Sequence, residues 1–219
     1  MRISHSSEMV KEFAEIMLSQ YYKESKKRSG LHRGDAIACP LKAYWRITAK
    51  IQPIYSSQNV GILLLGTLAH IAMHQNFDAQ EKEFDLHGIT VTIDAIYGKY
   101  PIESKSTRKR IYRREDIPQE WIEQLAIAMA VMNTDKGYLM VLNVISFSLT
   151  VWEVEMNYEE RQMFLNGCIW QITSILDSVS KQDPSILTPK YSECEFCPYR
   201  PMRSRPEGCI YYKPIPKKK

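Results

Sequence analysis

The stretch TIDAIYGKYPIESKS, residues 92–106, constrains this chain more than any other, because it reads as two β segments folded back on each other at Gly98-Lys99. A turn centred there makes paired residue numbers sum to 197, which sets Asp94 opposite Glu103. Cβ atoms of directly opposed residues lie about 4.5–5.5 Å apart, so two carboxylates there destabilise the sheet unless something compensates. A divalent cation, Mg²⁺ or Mn²⁺, is the natural compensation, since it takes carboxylate oxygens and keeps waters for a phosphate substrate. Lys105, two residues beyond Glu103, shares its strand face. A Lewis acid, an activated water and a cation beside the transition state together hydrolyse a phosphodiester. The plain alternative is a solvated edge on which Glu103 and Lys105 neutralise each other while Asp94 sits in a turn.

The flanking sequence surrounds this hairpin with helices. Met9, Val10, Phe13, Ile16, Met17 and Tyr21 recur at helical spacing over residues 7–21, and Leu64, Leu68, Ile71 and Ala72 do so between Val60 and about Phe77. EKEFDL and GITVTIDAIY precede YPIESKST as short strands. Asp116 caps a helix predicted to run to about Asn133, with Gln119 completing a capping box and Pro118 in the first turn. YLMVLNVI and SLTVWEVE follow as strands, the second with Glu153 and Glu155 on one face, and a long helix spans 158–180. The strand-helix-strand order implies a right-handed crossover.

His70 lies on the helix before the hairpin, and imidazole tilts a carboxylate site from Mg²⁺ toward Mn²⁺. His74 follows one turn later, but Ile71, Ala72 and Met73 between them lack the glutamate of a zinc protease motif. Cys194 and Cys197 form a C-x-x-C pair, Cys209 follows, and Cys39 stands far upstream beside a proline. Four thiolates complete a tetrahedral set for either structural Zn²⁺ or an iron-sulfur cluster, and would staple the two ends of the chain together. Cys168 shares a helical face with Phe164 and Ile172 and reads as a core residue. The acids and the lysine of SEMVKEFAEIMLSQYY exclude a secretory signal, and no run of about 18 apolar residues exists to span a membrane. These features predict a soluble, cytoplasmic protein.

GTLAH, the aspartate of TIDAI, the glutamate-x-lysine of IESKS and the glutamine of EQLAIA, in that order, resemble the RecB-like branch of the PD-(D/E)xK nuclease superfamily. With one cysteine upstream and three downstream, the chain is most similar to the fourth CRISPR-associated protein family, iron-sulfur RecB-like exonucleases. The resemblance spans about residues 39–209. It implies metal ligation by His70, Asp94 and Glu103, catalysis with Lys105 and Gln124, and cluster ligation by Cys39, Cys194, Cys197 and Cys209, a four-iron cluster being favoured over a two-iron one. It implies action on single-stranded DNA or DNA ends beside a CRISPR integrase. The basic residues Arg108, Lys109, Arg110, Arg113 and Arg114 suit that substrate by tracking a phosphate backbone, with Tyr112 placed to stack on a base. Two departures stand out: Ala128 occupies a position where the family commonly has tyrosine, and the gap before Cys209 is long.

The expectation is therefore an α/β chain with a PD-(D/E)xK restriction-endonuclease-like core, a mixed sheet flanked by helices, over residues 60–183. An N-terminal helical segment, 1–59, supplies one cluster cysteine, and residues 184–219 supply the other three. The rivals are a RecB-like nuclease of viral or repair origin and a non-catalytic, zinc-containing DNA-binding module.

Overall fold

Alternating burial along Ile89, Val91 and Ile93 makes residues 89–97 the strand around which the other elements assemble. The structure is a computed structural model that describes residues 30–51, 53, 57–74, 77, 79–86, 88–201 and 208–212. The helix expected over residues 7–21 and the KPIPKKK stretch lie outside the described residues. The strands are β1 (Leu31–His32), β2 (Ala79–Leu86), β3 (Ile89–Tyr97), β4 (Tyr100–Thr107), β5 (Lys136–Asn143) and β6 (Ser148–Glu155). The helices are α1 (Arg33–Ile37), α2 (Pro40–Thr48), α3 (Ser57–His74), α4 (Gln119–Val131) and α5 (Tyr158–Lys181).

The sheet runs β1-β3-β4-β5-β6, with β2 also paired to β3. β2 is antiparallel to β3 from Ala79↔Ile96 to Leu86↔Ile89 and so takes one whole edge of it. β1, parallel at Leu31↔Ile89, and β4, antiparallel at Ala95↔Ile102, must then share the opposite edge, one at each end of β3. The β4-α4-β5 connection joins strands that pair in parallel from Ile102↔Tyr138 to Thr107↔Asn143, the pairing expected for strand-helix-strand order. Gly98, at φ +61°, opens the two-residue turn between β3 and β4. Gly137 lets α4 approach β5, since a Cβ there would lie 2.8 Å from Leu125 Cδ1.

Two helix starts differ in their outcome. Asn157 caps α5 as a reciprocal box, accepting from Glu160 N at 2.8 Å while Glu160 Oε2 accepts from Asn157 N at 2.9 Å. Asp116, expected to cap α4, instead closes a separate 3₁₀ turn over Arg114–Asp116, its carboxylate accepting from Tyr112 N and Arg113 N. Ile117 and Pro118 are extended, and α4 begins only at Gln119. The proline restricts the residue before it to extended backbone, which breaks a helix begun at Asp116.

One apolar cluster joins Leu41, Tyr44 and Trp45 of α2 to Val91 of β3, Ile127 of α4, Ile172 and Ile175 of α5, and Leu187 and Cys209 of the C-terminal region. Cys168 is buried in it, and burial pushes its thiol up to about 11. A second cluster, Leu125 and Met129 against Leu139 and Val141, seats α4 on the sheet. No helix among the described residues is long and apolar enough to cross a membrane.

Candidate active site

The paired positions Ala95↔Ile102, Ile96↔Pro101 and Tyr97↔Tyr100 all sum to 197, the register that directs Asp94 toward Glu103. There the two strands part. Ile93 and Ile96 pack in one cluster with Ala128, while Ala95 packs in another with Ile102 and Met140, so the residues flanking Asp94 serve two separate apolar clusters. Asp94 Oδ2 accepts from Ser104 N at 2.8 Å, tying the carboxylate across the opening. Since β1 takes the same edge of β3 further down, α1 starts beside this notch and delivers Arg33 into it.

Glu103, 1% exposed, is held by two cations. Lys105 Nζ donates to its Oε1, and Arg33 Nη2 lies 3.0 Å from Oε2. Arg33 is the partner of that second oxygen, which is otherwise buried. Burial alone would raise the Glu103 carboxyl, but Arg33 and Lys105 outweigh it and hold it below the usual range. Gln124 on α4 links the same group twice, its Oε1 accepting from Lys105 at 2.7 Å and its main-chain oxygen accepting from Arg33 Nη1 at 2.7 Å. Glu103, Lys105 and Gln124 are thus brought together, and Arg33 is an addition to which no residue spacing pointed.

α3 supplies the second wall. His74 Nε2 lies 2.7 Å from Ser104 Oγ, and the His70 and His74 rings meet edge to face with centroids 5.3 Å apart. One ligand atom from each of His70, His74 and Asp94 lies within 4.8 Å of the others, a spacing that one metal ion can span. Burial, and next Lys105, lowers His70 to about 4, leaving the neutral imidazole that a metal requires. Burial, and next the charge of Glu103, raises Asp94 to about 7. The neutral His70 imidazole, the His74 ring beside it and the destabilised Asp94 carboxylate form a donor set that fits a divalent cation. Glu103 stands outside the His70-His74-Asp94 trio, and His74, which the sequence reading did not name as a ligand, stands inside.

Arg108, Lys109, Arg110, Arg113 and Arg114 are exposed on the loop that leaves β4, and none is ion-paired with a described residue. Asn143 Nδ2 donates to Lys109 O at 3.0 Å and Ile111 is buried, which anchors the loop. The Arg110 guanidinium lies 6.0 Å from the ring centroid of Tyr112. Ala128, 1% exposed, packs on Ile93 and Ile96, so this helix position is filled by contact with the sheet.

Cys39, Cys194, Cys197 and Cys209 line one small cavity with Lys42, Trp45 and Glu193, and all four are free thiols. Cys39 Sγ accepts from Lys190 N at 3.4 Å, and Lys42 pairs with Glu193 across the same seam. Burial raises the Cys39 and Cys197 thiols. Among the described residues the four sulfurs do not gather to the spacing of the histidine-aspartate trio. The donor set, four buried or half-buried thiols facing one cavity, fits a thiolate-bound cofactor in its chemistry.

No protein-family model matches the chain, and no curated protein matches it. Among solved structures, the crystal structure of SSO0001 superposes with a TM-score of 0.54 at 18% identity, covering 89% of this chain and 96% of that one. An alkaline exonuclease (LHK-Exo) from Laribacter hongkongensis superposes with a TM-score of 0.46 at 10% identity, covering 70% of this chain and 91% of that one. The likeness is one of fold: a mixed sheet flanked by helices.

Proposed function

We propose that this chain is a divalent-metal-dependent deoxyribonuclease that cuts single-stranded DNA or trims DNA ends. The observation that carries the reading is the convergence of His70, Asp94, Glu103, Lys105 and Gln124 on the notch where β3 and β4 part. His70, Asp94 and Glu103, with His74 beside them, would hold Mn²⁺ or Mg²⁺. When bound, the ion supplies charge neutralisation at a phosphoryl oxygen and an acidic water. Lys105, steadied by Glu103 and Gln124, presents an ammonium where negative charge develops on the phosphate. Arg33 fixes the Glu103 carboxylate and anchors the α4 backbone at Gln124, so the site's two walls keep their spacing. Purified protein given a single-stranded oligonucleotide should cleave it when Mn²⁺ is added and stop when a chelator is added. Absence of cleavage across Mn²⁺ and Mg²⁺ would leave the DNA-binding module as the better account.

The four cysteines belong to the same reading, as ligands of an iron-sulfur cluster that braces the seam between α2 and the C-terminal region. Anaerobically purified protein should contain iron and absorb visible light. Cys194→Ser should lower both iron content and Tm, whereas Cys168→Ala should leave iron unchanged, its thiol lying in the apolar core. Zinc without iron in the purified protein would overturn the cluster assignment. The resemblance in sequence extends the proposal to cytoplasmic DNA-end processing beside a CRISPR integrase.

The unpaired cations after β4 have a role in the same scheme. Replacing Arg108, Lys109 and Arg110 together by alanine should weaken single-stranded DNA binding about tenfold or more and flatten its salt dependence, because fewer counterions are released. An unchanged salt slope would make the strip a solvated loop and nothing more.

A further inference from the structure

Arg161 sits in the first turn of α5, is 7% exposed and forms no ion pair among the described residues. Its Nη1 is buried with no hydrogen-bond partner among the described residues. A guanidinium taken out of water with no counter-charge is strongly unfavourable, so such a group calls for an anion. It lines an open cavity of about 500 Å³ together with Lys99, Met132, Asn133, Thr134 and Asp135. Thr134 Oγ1, from the turn between α4 and β5, is also buried with no hydrogen-bond partner among the described residues. Lys99, at the tip of the β3–β4 turn, adds an exposed ammonium. The opposing charge is Asp135, which is exposed and has solvent to turn into.

We infer that this cavity is a phosphate-binding site, with Arg161 and Thr134 in its wall and Lys99 at its rim. A phosphate group offers several acceptor oxygens and up to two charges, which suits a guanidinium, a hydroxyl and an ammonium converging from three elements. Glu103 lies four residues along β4 from Lys99, about 13 Å in an extended strand, so the cavity is separate from the carboxylate site. The phosphate comes either from a nucleic-acid strand or from the solvent. The site itself stands apart from the nuclease proposal, and only the strand source rests on that reading.

Thermal melting of chelator-treated protein with inorganic phosphate, against chloride at equal ionic strength, tests the site. Wild type should gain about 3 °C at saturating phosphate. Arg161→Met should lose the gain while melting in chloride at or above wild type, because it removes a buried charge without a partner. Lys99→Ala, an exposed substitution, should lose about half of it and serves if the first variant folds poorly. Asp135→Asn should enlarge it, and the alanine triple at Arg108, Lys109 and Arg110 should keep it. An equal gain in wild type and Arg161→Met, or no gain in wild type, overturns the proposal. Fluorescence anisotropy of a 5′-phosphorylated single-stranded oligonucleotide without metal then separates the sources. For a strand phosphate, Arg161→Met weakens binding several-fold and reduces the salt slope by about 0.7. For free phosphate, it leaves strand binding unchanged.

Discussion

Replacing Glu103 by alanine should cost about 3–5 kcal/mol of folding stability and abolish metal-dependent cleavage, a double loss that few single substitutions produce. The carboxylate is 1% exposed and faces the side chains of Arg33 and Lys105, themselves 8% and 19% exposed. Removing it strands two cations in a site too closed for water to replace their partner. The two effects separate in a double variant. Glu103→Leu combined with Arg33→Met exchanges a buried ion pair for apolar contact, so stability should recover toward wild type while cleavage stays absent. Urea unfolding monitored by circular dichroism, beside a Mn²⁺-dependent nuclease assay, reads both. A Glu103→Ala protein within half a kcal/mol of wild type would show that water or a shift of α1 satisfies Arg33, and the tight notch described above would be wrong.

Asp94→Asn should raise the metal-free stability at pH 8 and flatten its pH dependence. The folded carboxyl titrates at about 7 against an ordinary 3.8, so between those values the native state holds a proton that the unfolded chain has released. Stability contributed by this group is therefore highest in acid, falls as the pH rises through that window and levels off above it. At one pKa unit per 1.36 kcal/mol, ionised Asp94 costs up to about 4 kcal/mol at pH 8, and the amide removes that cost while its oxygen still accepts from Ser104 N. Mn²⁺ acts in the opposite sense. It should raise the wild-type Tm, more strongly at pH 8 than at pH 6, and Asp94→Asn should lose most of that rise along with cleavage. His70→Ala should weaken the Mn²⁺ effect in the same direction. A variant that still gains the full Mn²⁺ shift would remove Asp94 from the metal site.

The hairpin was legible because its information is local. Gly98 marks the turn, the alternation marks the faces, and register then follows by counting, as Ala95↔Ile102 and its neighbours bear out. Arg33 was not legible, because it reaches Glu103 through a two-residue parallel pairing of Leu31 and His32 with β3 that carries no pattern of its own. His74 was not named as a ligand, and its placement depends on Ser104, a residue that only the strand's neighbour across the sheet explains. The Asp116 capping pattern was present in the residues and spent on a different turn, because Pro118 holds the preceding backbone extended. Ala128 could be noticed as a departure from a family pattern, but its contact with Ile93 and Ile96 needed the fold.

The seam between α2 and the C-terminal region sets a timetable for synthesis. Cys39 meets Lys190, Lys42 meets Glu193 and Ile37 O meets the Lys190 side chain, each across about 150 residues. A nascent chain makes Leu41, Tyr44 and Trp45 well before Leu187 and Cys209, which help to cover them. Closing a loop of that length carries its entropic cost before any contact rewards it. Until those later residues arrive, the helix after Cys39 is an unfinished surface whose apolar side chains face water.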